Sequence, residues 1–212
     1  MANDGVHRHA FWVYGVIVGL AIQQALTDLV PHLFAPPHET FSVEFHEGVR
    51  VSIFLIVITR FYLGAASFFD EAHAADPGKF KRRSYPMDFL FGFFHFLVFF
   101  VWAVTLNPHK MPQNLFNYLL WVILGYDTIW YFACRQYDTR HLMKLWTALN
   151  LFTLVLSLLF FFGSLQAGWR FETAEEIALL PVLVASLIDL MELVTGKAMI
   201  KNWLANLIHI PA

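Results

Sequence analysis

Arg60, Asp127 and Asp189 are the residues from which chemistry can be built, because each is an ionisable side chain inside a long apolar run. Arg60 stands in Val51-Ser-Ile-Phe-Leu-Ile-Val-Ile-Thr-Arg60-Phe-Tyr-Leu-Gly-Ala-Ala, a stretch long enough to cross most of a bilayer. A charge near mid-membrane costs about 2.5 kcal/mol or more unless it is paired or wetted. Asp127 and Asp189 are its candidate partners. An arginine–carboxylate pair in such a place is either a lock between helices or part of a route for ions or protons. Losing one partner of a buried pair costs about 3–5 kcal/mol, so mutation is damaging under both readings.

Counting depth at about 1.5 Å per residue puts Arg60 and Asp189 roughly 12 Å from the cytoplasmic edge of a ~30 Å core. Asp127 falls about 3 Å closer to that edge, and His95 and Asn150 at roughly 12–14 Å. Arg60, His95, Asp127, Asn150 and Asp189 are therefore expected to form one polar layer in the inner half of the membrane. Helical spacing extends it. Trp146, Asn150, Thr153, Ser157 and Ser164 recur every three, four or seven residues, as do Ser186, Asp189 and Glu192. Asp88, Gly92 and His95 share a face with Phe99 and Trp102. Gln23, Gln24 and Asp28 sit toward the outer end of the first span. Chained together, Gln23, Gln24, Asp28, Asp88, Thr153, Ser157 and Glu192 flank the layer as candidates for a path, with Asp28 and Asp88 at the interfaces.

The bland readings stand beside these. Asn150, Thr153 and Ser157 can serve as interhelical hydrogen-bonding groups, and His95 as a neutral core histidine. The many Phe and Trp residues read as bilayer-facing surface and aromatic belt, and the Gly15/Gly19 pair as a small-xxx-small contact.

Enzyme chemistry finds little support. Of ten histidines only His95 is deep, which leaves no facing pair for a bis-histidine haem. The loop histidines His32, His38 and His46 are too irregularly spaced to specify zinc. No H-E-x-x-H, G-x-S-x-G or phosphate-binding glycine loop occurs, and no lysine lies in the interior of a spanning run. No catalytic residue, cofactor or metal site is expected. One cysteine, Cys134, excludes an internal disulfide. The balanced charge, with no basic stripe, argues against nucleic acid.

The elements that must position these residues follow from composition. A chain of 212 residues that is 58% hydrophobic and 14% charged is too apolar for an ordinary soluble domain. Its apolar blocks predict an all-α membrane protein, a single polytopic domain of six transmembrane helices, at about 10–31, 48–68, 87–106, 113–134, 142–166 and 175–195. Thr173-Ala-Glu-Glu176 resembles a capping box opening the sixth, whose Pro181 then kinks only its first turns. The first block carries no cleavage-like site and is expected to stay as a helix. Pro31 to Glu47 alternates Phe41, Val43 and Phe45 with polar residues, as an interfacial or strand-like lid would. Residues 197–210 place Ile200, Trp203, Leu204, Leu207 and Ile208 on one face, which predicts an amphipathic interfacial helix.

Orientation follows from basic residues in alternate loops. Ten fall on the side of the N-terminus: Arg8, Lys79, Lys81, Arg82, Arg83, Arg135, Arg140, Lys144, Lys197 and Lys201. Three fall on the other: Arg50, Lys110 and Arg170. Both termini are expected to be cytoplasmic, in the plasma (inner) membrane of the cell. The expected function is a channel or small transporter moving ions or protons through the layer centred on Arg60, as a homo-oligomer within the lipid bilayer. The alternative is an anchor or effector that works through a cytoplasmic protein partner, docked on Lys79, Lys81, Arg82 and Arg83. A membrane-embedded enzyme is the third reading.

Overall fold

Long apolar runs, broken only by short polar pieces, favour a backbone that satisfies its own hydrogen bonds within each run, and six helices account for nearly all of the described residues. The computed structural model describes residues 4–33, 45–70, 84–107, 112, 114–133 and 140–195. Six helices run in order: α1 (Asp4–Leu33), α2 (Phe45–Phe69), α3 (Ser84–Val104), α4 (Leu115–Ala133), α5 (Arg140–Gln166) and α6 (Phe171–Thr195). Lys79, Lys81, Arg82, Arg83 and the tail 197–210 lie outside the described residues.

Two sequence expectations about helix ends are corrected. Pro31 belongs to the last turn of α1, and Phe45 to Glu47 open α2, so the lid shrinks to residues outside the described set. The sixth helix begins at Phe171, which puts Thr173 inside the first turn rather than at the cap. The cause is visible at the α5–α6 turn. Gly168, at φ 81°, ends α5 in the left-handed conformation that a Cβ disfavours. The Trp169 amide donates to the Ser164 carbonyl and the Gly168 amide to the Leu165 carbonyl, which closes a Schellman cap. Only a few residues then separate the two helices, and α6 folds straight back along α5.

Side-chain pairings show the helix directions. Trp121 meets Ser157 and Asp127 meets Asn150, so α4 and α5 are antiparallel. Arg50 and Arg60 meet Glu175 and Asp189 in the same order, so α2 and α6 are parallel. The main neighbours form a closed ring in the order α1, α3, α4, α5, α6, α2. The end of the bundle where α2, α4 and α6 begin is called the upper end below.

The surface is apolar, and charged groups are buried within an otherwise apolar interior. On α3 Leu90, Phe94, Leu97 and Val101 point outward, and on α6 Leu180, Val184, Leu187 and Met191 do the same. Inside lie Arg50, Arg60, Asp88, Asp127, Glu175, Asp189 and Glu192. In water this arrangement would expose large apolar stripes and hide charges, the reverse of a soluble fold. Three helical stretches are long and apolar enough to cross a membrane: Glu47–Phe69, Pro86–Val104 and Trp146–Gln166.

Glycine is used differently from expectation. Gly19 is exposed with open space around it, so the Gly15/Gly19 pair makes no close helix contact there. The tight approach is at Gly92, where an added Cβ would fall 2.6 Å from the Tyr14 hydroxyl. That hydroxyl donates to the Phe89 carbonyl at 2.8 Å and ties α1 to α3. The phenylalanines of α3 are also turned inward more than expected. Phe96 and Phe99 are buried, and among the α3 phenylalanines only Phe94 lies on the exposed stripe.

Candidate functional site

The helix ring brings all five residues of the expected layer together. Arg60, from the middle of α2, donates Nε to Asp189 Oδ2 at 2.8 Å and Nη2 to Asn150 Oδ1 at 2.7 Å. Asn150 Nδ2 donates to Asp127 Oδ2. The same oxygen receives the Trp146 indole N–H at 2.6 Å. On the far side His95 Nδ1 lies 3.4 Å from Asp127 Oδ1. Arg60 thus has Asp189 as its direct counter-ion and reaches Asp127 only through Asn150, which decides between the two partners its sequence position allowed.

Asn150 cannot be turned round in this network. An arginine only donates, so it must face the amide oxygen, and the amide N–H then has to face Asp127. The arrangement explains why α5 carries an asparagine here: it joins a donor-only neighbour to an acceptor-only one. Trp146 adds a second contact, with the Arg60 guanidinium carbon 4.8 Å from its ring. Gly64 makes room, since any Cβ there would overlap the Trp146 indole. Phe61 closes the layer, edge-on to both His95 and Trp146, and Tyr126 covers the His95 ring at 4.7 Å. The aromatic residues expected as lipid surface are in this respect the walls of the polar layer.

A second ion pair was not anticipated. Arg50 and Glu175 stand in the sequence at the outer mouths of the second and sixth spans, yet both are buried, 1% and 0% exposed, and Arg50 Nη2 lies 2.6 Å from each Glu175 oxygen. The reason is that α2 and α6 begin earlier than their apolar runs suggest, so their first turns are already inside the bundle. Phe116 lies 5.5 Å from the Arg50 guanidinium and packs on Trp102, whose N–H donates to the Phe116 carbonyl. One signal could have found it. Glu175 precedes Asp189 by two heptads and so shares its helical face, through Ala178, Val182 and Ser186.

Between the two pairs runs the α5 stripe. Thr153 and Ser157 are buried as expected; Ser157 donates to the Ala178 carbonyl at 2.8 Å and accepts the Trp121 N–H at 2.9 Å. Ala178 stands three residues before Pro181, in the turn where the proline removes a backbone donor. Toward the lower end Asp88 is fully buried and accepts the Trp130 N–H at 3.0 Å. Glu192 is buried too. Gln23 faces outward and Gln24 is half-buried, so Gln23 does not line the interior. Asp28 lies on α1, with its side chain outside the described residues.

The fold and the site together define an all-helical bundle with an apolar exterior and an ion-paired interior. Set against known proteins, the chain matches no family profile, no curated protein and no solved structure.

Proposed function

We propose that this chain is a multi-pass membrane protein of the plasma (inner) membrane, with six spans and cytoplasmic termini, that moves protons or small ions through its interior. The observation that carries the proposal is the second buried pair, Arg50–Glu175, above the Arg60–Asp189 pair on the same two helices. Ten residues of α2 separate the arginines, about 15 Å of helix. Asn150, Thr153 and Ser157 bridge that interval, so polar groups run along the bundle at several levels. Holding α2 to α6 needs no charge at all, because apolar residues of similar volume do it as well or better. Two pairs in series are what a conducting path with an upper and a lower closure needs, and what a plain scaffold does not.

The test is flux through proteoliposomes of the purified chain. Movement of a cation, an anion or protons that changes with Asp127→Asn and Asp189→Asn supports the reading. Absence of all three, with those variants altering stability alone, sinks it. One observation favours the anchor or effector reading instead: the Arg60 layer is bonded directly, side chain to side chain. A soluble partner that co-purifies in fixed ratio, and is lost when Lys81, Arg82 and Arg83 are neutralised, would establish that alternative. Assembly as a homo-oligomer is part of the proposal and is read by the mass of the detergent-solubilised particle.

A further inference from the structure

The Arg60 layer sets two acids, Asp127 and Asp189, against one permanent cation, Arg60. Arg60 stays charged under all ordinary conditions, and Asp189 at 2.8 Å answers it. Asp127 is left over. Its Oδ2 receives two N–H donors, from Asn150 and Trp146, and both are neutral groups. Its Oδ1 faces His95 Nδ1, and that side chain completes the set. Among the described residues, the titratable and charged groups in contact with Asp127, with its bonded partners or with theirs are Arg60 on α2, His95 on α3 and Asp189 on α6; the α5 groups in contact, Asn150 and Trp146, are neutral, and α4 itself adds Tyr126 beside His95. With Arg60 charged and both aspartates ionised, these three groups, each 2% exposed or less, would carry a net negative charge. One added positive charge neutralises it.

The donor set decides what that charge is. A metal cation takes oxygen lone pairs, about six to eight for calcium or sodium-like ions and six for magnesium. Among the described residues the partners of the Asp127 carboxylate are all nitrogens, and two of the three point hydrogens at it. The one amide oxygen nearby, Asn150 Oδ1, is turned away and engaged by Arg60. Among the described residues no group of three histidine, cysteine or acidic side chains is arranged to hold a metal. A proton needs none of these ligands. Oδ2 is already doubly engaged, which leaves Oδ1 to take it and to share it with His95 Nδ1.

Resting on the transport reading above, we infer that the transported or sensed species is the proton, and that the Asp127–His95 couple is its binding site. Loading converts the Asp127 carboxylate and a proton into a carboxylic acid whose O–H donates to His95 Nδ1; the equivalent form keeps the carboxylate and puts the proton on the imidazole. Both forms leave the layer neutral. Unloading returns the proton to water and leaves Asp127 charged, and Arg60 is then the one cation within reach. Arg60 Nη1 is buried and without a hydrogen-bond partner among the described residues, so the guanidinium has a donor free to answer the new charge.

The experiment uses the full chain in liposomes loaded with a pH-sensitive dye, with a potassium–valinomycin potential to drive uptake and tracer sodium and chloride in parallel. Proton flux without sodium or chloride flux, reduced to the level of protein-free vesicles in Asp127→Asn and partly kept in Asp127→Glu, is the expected result. Sodium or chloride flux in place of proton flux overturns the inference while leaving transport standing; unchanged proton flux in Asp127→Asn overturns the site. No flux of any kind removes the transport reading, and infrared spectroscopy of the wild-type protein then judges the site alone. A carboxylic-acid carbonyl band that titrates with pH and is missing in Asp127→Asn upholds the couple as a proton site, and its absence from the wild type refutes it.

Discussion

Arg60 carries the central test at the scale of single residues, because its partners are defined by atom. Asp189→Asn leaves a buried guanidinium without its counter-ion and is expected to cost about 3–5 kcal/mol, seen as a lowered unfolding temperature in detergent. The double variant Arg60→Met with Asp189→Leu removes both charges at similar volume, and its stability should return to near that of the wild type. If the double variant melts as early as Asp189→Asn, the pair is not the unit described. Arg60→Lys keeps the charge but loses the fork that spans Asp189 and Asn150, so it should resemble the loss of one contact rather than a conservative change. Trp146→Phe keeps the ring beside Arg60 and removes the N–H to Asp127; about 1 kcal/mol of stability should go with it.

Helices translate these contacts into architecture, and two glycines show where they are constrained. Gly168→Ala forces a Cβ into the left-handed region at the α5–α6 turn and is expected to cost about 1–2 kcal/mol, measured by thermal unfolding. Gly64→Ala acts on the site instead. Its Cβ displaces the Trp146 indole, so flux or the infrared signature of Asp127 should change more than stability does. A melting shift as large as that of Asp189→Asn would put Gly64 among packing positions only. The elements themselves were legible in the sequence, since six apolar blocks gave six helices, every end within six residues of its expected bound. The members of the Arg60 layer were legible too, because depth is a matter of counting along a helix. What counting cannot give is the facing of one helix against another, and there the reading stopped short. Arg50 and Glu175 looked like mouth residues because they flank apolar runs, and only the packing of α2 on α6 withdraws them. The indole N–H groups of Trp121, Trp130 and Trp146 were hidden in the same way, since an aromatic residue reads as surface until a buried acceptor is set opposite it.

At the scale of the whole molecule the charge distribution and the surface make one argument. Apolar side chains cover the outside of the ring, and the acids Glu175, Asp189 and Glu192 of α6 are turned inside it. Inside the bundle those acids cost far less, since Glu175 and Asp189 each face an arginine. Withdrawing Arg50 into the core also sharpens the expected orientation, because the sequence count then sets Lys110 and Arg170 against the ten basic residues expected on the other side. The upper end is accordingly expected to face away from the cytoplasm. Single cysteines in a Cys134→Ser background test this directly. A cysteine at Arg170, 83% exposed in its side chain, should react with a membrane-impermeant maleimide in intact cells, and one at Lys81 only after the membrane is opened. The opposite pattern would invert the bundle and place the Arg60 layer nearer the outer face. Equal labelling of both sites in intact cells would mean that the apolar ring does not span the bilayer at all, and the exterior of α3 and α6 would then require a protein partner to cover it.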